Sequence, residues 1–152
     1  MNYQSIRAAL ENSLLTAYNT LVPSVPVYFD NVFDYDADSS EEFVHINIQF
    51  GLTTESTLTT QLDMVRGVIV IRTYTPKGNG PARNQTLVNT AFTTLQTINN
   101  TAKTTSGVYM RLNAIEGPTF SPNAVGTSQT RQEELPFFVS RIEAGFQAQV
   151  IS

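Results

Sequence analysis

A chain of 152 residues has the size of one domain and can bury a core without covalent staples. It contains no cysteine, which excludes disulfides and thiolate metal sites, and its net charge of −4 leaves no basic footprint for gripping nucleic acid. No stretch approaches the roughly 20 apolar residues that span a bilayer. The start, Met1 to Ser5, lacks the basic beginning and apolar run of a signal peptide, so the expected site of synthesis and assembly is a cytoplasm. Charged residues are only 14% of the chain, and Thr, Asn, Gln and Ser take their place. Such a surface is cheap to desolvate and points toward oligomerisation.

Ile6, Leu10, Leu14, Tyr18 and Leu21 follow one another at helical spacing, which predicts an amphipathic helix over Ser5 to Leu21. Pro23 and Pro26 end it. Val27-Tyr28-Phe29 reads as a short strand, and Asn31 to Glu42 as an acidic loop. Asp30, Asp34, Asp36, Asp38, Glu41 and Glu42 are six of the chain's 13 acidic residues, with no Lys or Arg between them. Asp34, Asp36 and Asp38 alternate as in the first half of a calcium loop. Ser39 stands where that loop needs Gly, however, and His45 where it needs Glu, which excludes an EF-hand. A solvated or lumen-facing negative surface is the expectation, and no metal or cofactor is called for.

Phe43 to Phe50 alternates strictly, with Val44, Ile46, Ile48 and Phe50 on one side and His45, Asn47 and Gln49 on the other, as a half-buried strand does. The Thr-rich segment Gly51 to Asp63 reads as a hairpin arm whose tip carries Thr53, Thr54, Glu55 and Ser56. Gly67 to Tyr74 is the most β-prone run, and its nearly continuous apolar part predicts a central strand. A second helix runs from Pro81 to about Asn100, with Leu87 or Val88, Ala91, Leu95 and Ile98 as its core stripe and Phe92 beside it. Val108 to Leu112 reads as a short strand, and 113–136 as a long irregular loop.

The closing strand, Phe137 to Ile151, alternates Ile142, Ala144, Phe146, Ala148 and Val150 with Arg141, Glu143, Gly145, Gln147 and Gln149. At ~3.3 Å per residue it would span nearly ~50 Å, against about 40 Å for a compact domain of this size. It is therefore expected to bend at Gly145 or to project and pair with a neighbour, with Arg141, Glu143 and Gln147 as interface candidates. The whole predicts an α+β fold: one domain over 1–152, with a mixed, mostly antiparallel sheet of five to six strands and two α-helices packed on one face.

The residues offer little chemistry. A Ser-His-acid triad would need His45, the one histidine, which lies mid-strand with no motif around it. Gly78-Asn79-Gly80 begins like a dinucleotide fingerprint, but Pro81 follows and the third glycine is missing. Asn84-Gln85-Thr86 and Asn99-Asn100-Thr101 match the glycosylation pattern by chance in a chain read as non-secreted. No enzyme is expected.

Taken in order, the amphipathic helix, Val25-Pro26-Val27 with Asp30-Asn31-Val32, a strand and polar hairpin, Arg66-Gly67-Val68-Ile69-Val70, Thr75-Pro76-Lys77-Gly78-Asn79-Gly80, a helix and a closing strand of the form Phe137-Phe138-x-x-x-Ile142-x-x-x-Phe146 form a distinctive series. This series resembles the tail-terminator (tail-completion, minor tail protein U) family of long-tailed bacteriophages over nearly the whole chain. The resemblance implies a mixed sheet with helices on one side and a homo-oligomeric, hexameric ring. That ring caps the tail tube, ends its polymerisation and joins the tail to a neck, head-completion or connector protein. It implies a virion protein at the head-proximal end of the tail, with DNA only passing through the channel and no membrane. Tube contact would fall near Gly51 to Gln61, and Asp34, Asp36 and Asp38 would be lumen-facing candidates. The closing strand departs from the family in lacking the Trp that often sits near its start. Another head–tail connector or tail-tube protein, or an unrelated small binding module or enzyme using His45 and the acidic loop, are the alternatives.

Overall fold

The computed structural model describes residues 3–21, 25–29, 42–55, 62–76, 82–100, 108–120 and 137–151. In chain order these form α1 (Tyr3–Asn19), β1 (Val27–Tyr28), β2 (Phe43–Glu55), β3 (Leu62–Pro76), α2 (Ala82–Asn100), β4 (Val108–Phe120) and β5 (Phe137–Ile151). The strands make one five-stranded sheet in the order β1-β2-β3-β5-β4. Only the β1–β2 pair is parallel; the other three pairs are antiparallel. The α+β architecture expected from the sequence is the observed one.

The helices form where apolar side chains recur at helical spacing. Ile6, Ala9, Leu10, Leu14 and Tyr18 bury one stripe of α1, and Leu87, Val88, Ala91, Leu95 and Ile98 bury one stripe of α2. Both stripes share a single core with alternate residues of the strands: Val44, Ile46 and Ile48, then Val65, Ile69 and Ile71, then Ile142, Ala144, Phe146 and Ala148. One face of the sheet therefore carries both helices. The Thr-rich α2 is helical because that apolar stripe is buried, and its surplus hydroxyls are satisfied by bonding back along the helix. Thr86 donates to the Ala82 carbonyl, Thr90 to Thr86 and Thr94 to Thr90, at 2.8–3.1 Å.

Two polar anchors dock the helices. The Tyr18 hydroxyl, fully buried, donates to the Leu87 carbonyl at 2.9 Å and ties α1 to α2. Asn84, also fully buried, donates to the Thr73 and Phe138 carbonyls at 3.2 and 3.1 Å and to the Thr75 hydroxyl at 3.2 Å. Its carbonyl oxygen accepts from the hydroxyls of Thr73 and Ser140. The first turn of α2 is thus bonded to both β3 and β5. A side chain so enclosed is no glycosylation acceptor, in keeping with the chance reading of that motif.

Gly67 is required by its neighbours. It lies opposite both Phe50 and Phe146, and a Cβ there would come within 2.6 Å of the Phe146 ring and also meet the Gln49 carbonyl. The Phe50 and Phe146 rings meet edge to face at 6.1 Å across this gap, and Tyr3 of α1 closes on Phe50 at 4.9 Å.

Two expectations need correction. The closing strand does not project beyond its sheet. β3 is just as long, 15 residues, and pairs with β5 in unbroken register from Leu62↔Ile151 to Pro76↔Phe137. With β4 on its other side, β5 is internal, so it offers no free edge. An equally long partner strand accommodates its length, which an average domain diameter does not limit. The irregular segment placed at 113–136 also begins too early. β4 continues to Phe120 through register shifts at Leu112/Ile115 and Glu116/Thr119, with a cis Gly117–Pro118 bond. Bulges break the period-two pattern by which a strand is recognised, so this half of β4 does not look like one in sequence. Residues 121–136 lie outside the described residues.

Candidate functional site

The sheet face opposite the helices has no described helix or strand packed on it. Its residues come from strands far apart in sequence. Register sets His45 (β2), Arg72 (β3) and Arg141 (β5) in one row across the sheet, and Arg66 (β3), Gln147 (β5) and Arg111 (β4) in another. The rows are six residues apart along β3, about 20 Å at the usual rise. Val68 and Val70 lie between them on β3, with Val70 almost wholly buried by its neighbours.

Four of the nine basic residues thus share one face with only two described acids, Glu143 and Glu116, which are themselves register partners. Arg141 pairs with Glu143 at 3.0 Å. Arg66 and Arg111 are exposed and Arg72 half-buried, and none of the three makes an ion pair among the described residues. Arg72 and Arg141 sit directly opposite each other, an arrangement that is unfavourable in a sheet without a counter-ion. At one end of the face, Phe43 stacks on Tyr74 with centroids 4.4 Å apart, and Tyr28 meets Phe43 edge-on. Burial pushes the Tyr74 phenol above its ordinary pKa, and the charge of Arg72 partly opposes that shift.

The edges of the sheet are guarded. β1 covers the start of β2, and Arg7 of α1 donates to the Ile48 carbonyl further along at 3.4 Å. On the far edge, the Leu112 amide of β4 donates to the Asn99 side chain of α2 at 3.0 Å. Such guards prevent indiscriminate strand pairing. On the helix side, Arg83 of α2 holds Glu42 through two nitrogens, with Nη2 2.7 Å from Oε1 and Nε 2.9 Å from Oε2. An open cleft of about 480 Å³ lies between α2 and β4, lined by Gln85, Val88, Asn89, Phe92 and Pro118.

The sequence-predicted site residues separate into three groups. Arg141, Glu143 and Gln147 share the open face of β5. Their place is on a sheet face and not on a free strand edge. Thr53, Thr54 and Glu55 end β2 and pair through the backbone with Val65, Met64 and Asp63, on an arm beyond the register shift at Phe50/Leu52. Ser56 and the acidic candidates Asp34, Asp36 and Asp38 lie outside the described residues. His45 is half-buried in the row with Arg72. No group of three metal-binding side chains occurs among the described residues. Sequence reasoning missed Arg66, Arg72 and Arg111. The even spacing of Arg66 and Arg72 along β3 is visible in sequence, but their convergence with Arg111 and Arg141 needs the β3–β5–β4 order.

No family model matches this chain, and no curated protein does. Solved structures are similar to this chain; one of them matches with a TM-score of 0.68 and 16% identity, covering 100% of this chain and 99% of that one. At that identity the likeness concerns the fold alone. No described helix is long and apolar enough to cross a membrane.

Proposed function

We propose that this chain is a tail-terminator protein of a long-tailed bacteriophage. In this reading it acts by assembly and not by catalysis. Copies close into a ring, of six in the family it resembles, at the head-proximal end of the tail. The ring caps the tube and presents the joint to a neck or connector protein, while DNA only passes through. The observation that supports this best is the architecture: a mixed five-stranded sheet with both helices on one face, the fold that the sequence resemblance implies. A head-to-tail ring needs two different complementary surfaces on each copy. The sheet face that carries no described helix or strand and the β2–β3 arm ending at Glu55 are two surfaces of that kind.

The test is tube assembly in the presence of this chain, read by electron microscopy as a length distribution. Tubes should stop growing and end in a single ring. With Thr54→Arg and Glu55→Arg in the arm, capping should be lost and tubes should overgrow. Open-ended filaments of the chain by itself would favour a tail-tube protein instead. Normal capping by the arm variant would remove the arm as the tube contact.

A further inference from the structure

We infer that the outward face of α2, with the cleft beside it, is a twofold contact surface for a second copy of this chain. The contact uses neither the sheet face nor the β2–β3 arm, so it goes beyond the ring reading and does not depend on it. From Asn84 to Asn100 the helix carries no charged residue, and its one charge, Arg83, is already held by Glu42. Gln85, Asn89, Phe92 and Gln96 are all exposed. Their spacing of four, three and four lines them along the helix axis, as in the seam of a helix pair. Thr86, Thr93 and Thr97 are exposed beside them. A helix that keeps one face in water ordinarily carries charges there.

Such a face loses little on leaving water. The hydroxyls of Thr86, Thr90, Thr94 and Thr97 already donate to carbonyls four residues back at 2.8–3.1 Å, so burial orphans none of these donors. The lack of charge also selects the occupant. Near a twofold axis a side chain meets its own counterpart, so a charge on this ridge would face the same charge. Phe92, 37% exposed, stands at the middle of α2 and so nearest the axis of an antiparallel pair. The open cleft of about 480 Å³ between α2 and β4 is bounded by the same ring, with Val88 and Pro118 as further apolar walls. An exposed ring and a cleft on one patch supply the self-complementarity that such a contact needs. With 19 residues, α2 offers a face ~28 Å long and about 10 Å across, or roughly 280 Å² per copy. Two such faces fall below the roughly 1,200 Å² of a stable complex, so the pair forms weakly and only with rising concentration.

The inference is tested with opposite charges at one position. Phe92→Arg and Phe92→Glu are made separately; because the ring is exposed, both should fold, and circular dichroism and melting establish that they do. Sedimentation equilibrium reads the mass between about 10 μM and about 1 mM. The unaltered chain should double in mass over that range, from protomer to pair or, where rings form, from ring to paired rings. Each variant alone should show no doubling, since like charges then meet at the axis. An equimolar mixture of the two should double again, because position 92 then meets its opposite. Doubling by either variant alone, or none on mixing, would overturn the inference and leave the ring standing. An unaltered chain that never doubles would overturn it as well, and Arg66→Glu on the sheet face should leave the doubling unchanged.

Discussion

Asn84 is the residue on which the docking of α2 most depends. The two protons of its amide are shared among three acceptors and its oxygen accepts two bonds, all inside the protein. Asn84→Ala would leave the Thr73 and Phe138 carbonyls and two hydroxyls short of partners. At about 1–3 kcal/mol for each buried group left unsatisfied, the loss should reach on the order of 3 kcal/mol in urea unfolding, whereas Gln85→Ala on the exposed side should be nearly neutral. Tyr18 provides a second test, through pH. Burial raises the pKa of its phenol above the ordinary value of 10.0. The unfolded chain then releases this proton first, so stability is intact below pH 10 and falls as pH climbs beyond it toward the folded value. Tyr18→Phe should start lower at pH 7, by about 1 kcal/mol for the lost hydrogen bond to Leu87. It should also show a shallower decline of Tm between pH 9.5 and about 11. Equal slopes for the two proteins would refute the assignment.

Among the elements, β4 and β5 differ most from what a strand-by-strand reading suggests. By its length alone β5 reads as an exposed, sticky strand, yet it has partners on both sides. β4 is the true edge, and it is blunted by two register shifts, by Pro118 and by the Asn99 cap on Leu112. Asn99→Ala should raise amide exchange at Leu112 selectively and cost about 1 kcal/mol. Exchange unchanged at Leu112 would mean that the cap contributes nothing. The same variant should also self-associate more readily, because an uncapped edge amide is free to accept a foreign strand. Helix α2 shows how composition can mislead: a run of threonines is ordinarily a weak helix former. Here the hydroxyls bond to carbonyls four residues back, and the stripe from Leu87 to Ile98 supplies the burial.

For the whole molecule, charge is the property that folding reorganises. The acidic segment is contiguous in sequence, whereas the basic face is drawn from β3, β4 and β5. A ring joined through that face should weaken steeply with salt, since exposed charges are screened over about 10 Å at 0.1 M and only about 3 Å at 1 M. Light scattering across that range should show the mass falling toward one protomer while the melting temperature hardly moves. An oligomer indifferent to salt would point instead to the charge-free face of α2 and the cleft at Phe92.

Much of the fold is legible in the sequence because it rests on local periodicity. Ile6 to Tyr18 and Leu87 to Ile98 declare their helices at 3.6-residue spacing, and Phe43 to Phe50 and Ile142 to Ala148 their strands at period two. The absence of cysteine excludes whole classes of chemistry in the same direct way. Sheet order, register and partner length are not local, so only the tertiary structure decided them. They made β5 internal, carried β4 past its bulges to Phe120, and brought Arg66, Arg72, Arg111 and Arg141 onto the one face opposite the helices. A side chain's face follows from its own strand, but its neighbours follow from which strands pair. That pairing is set by the burial of the whole core and by no short stretch of sequence.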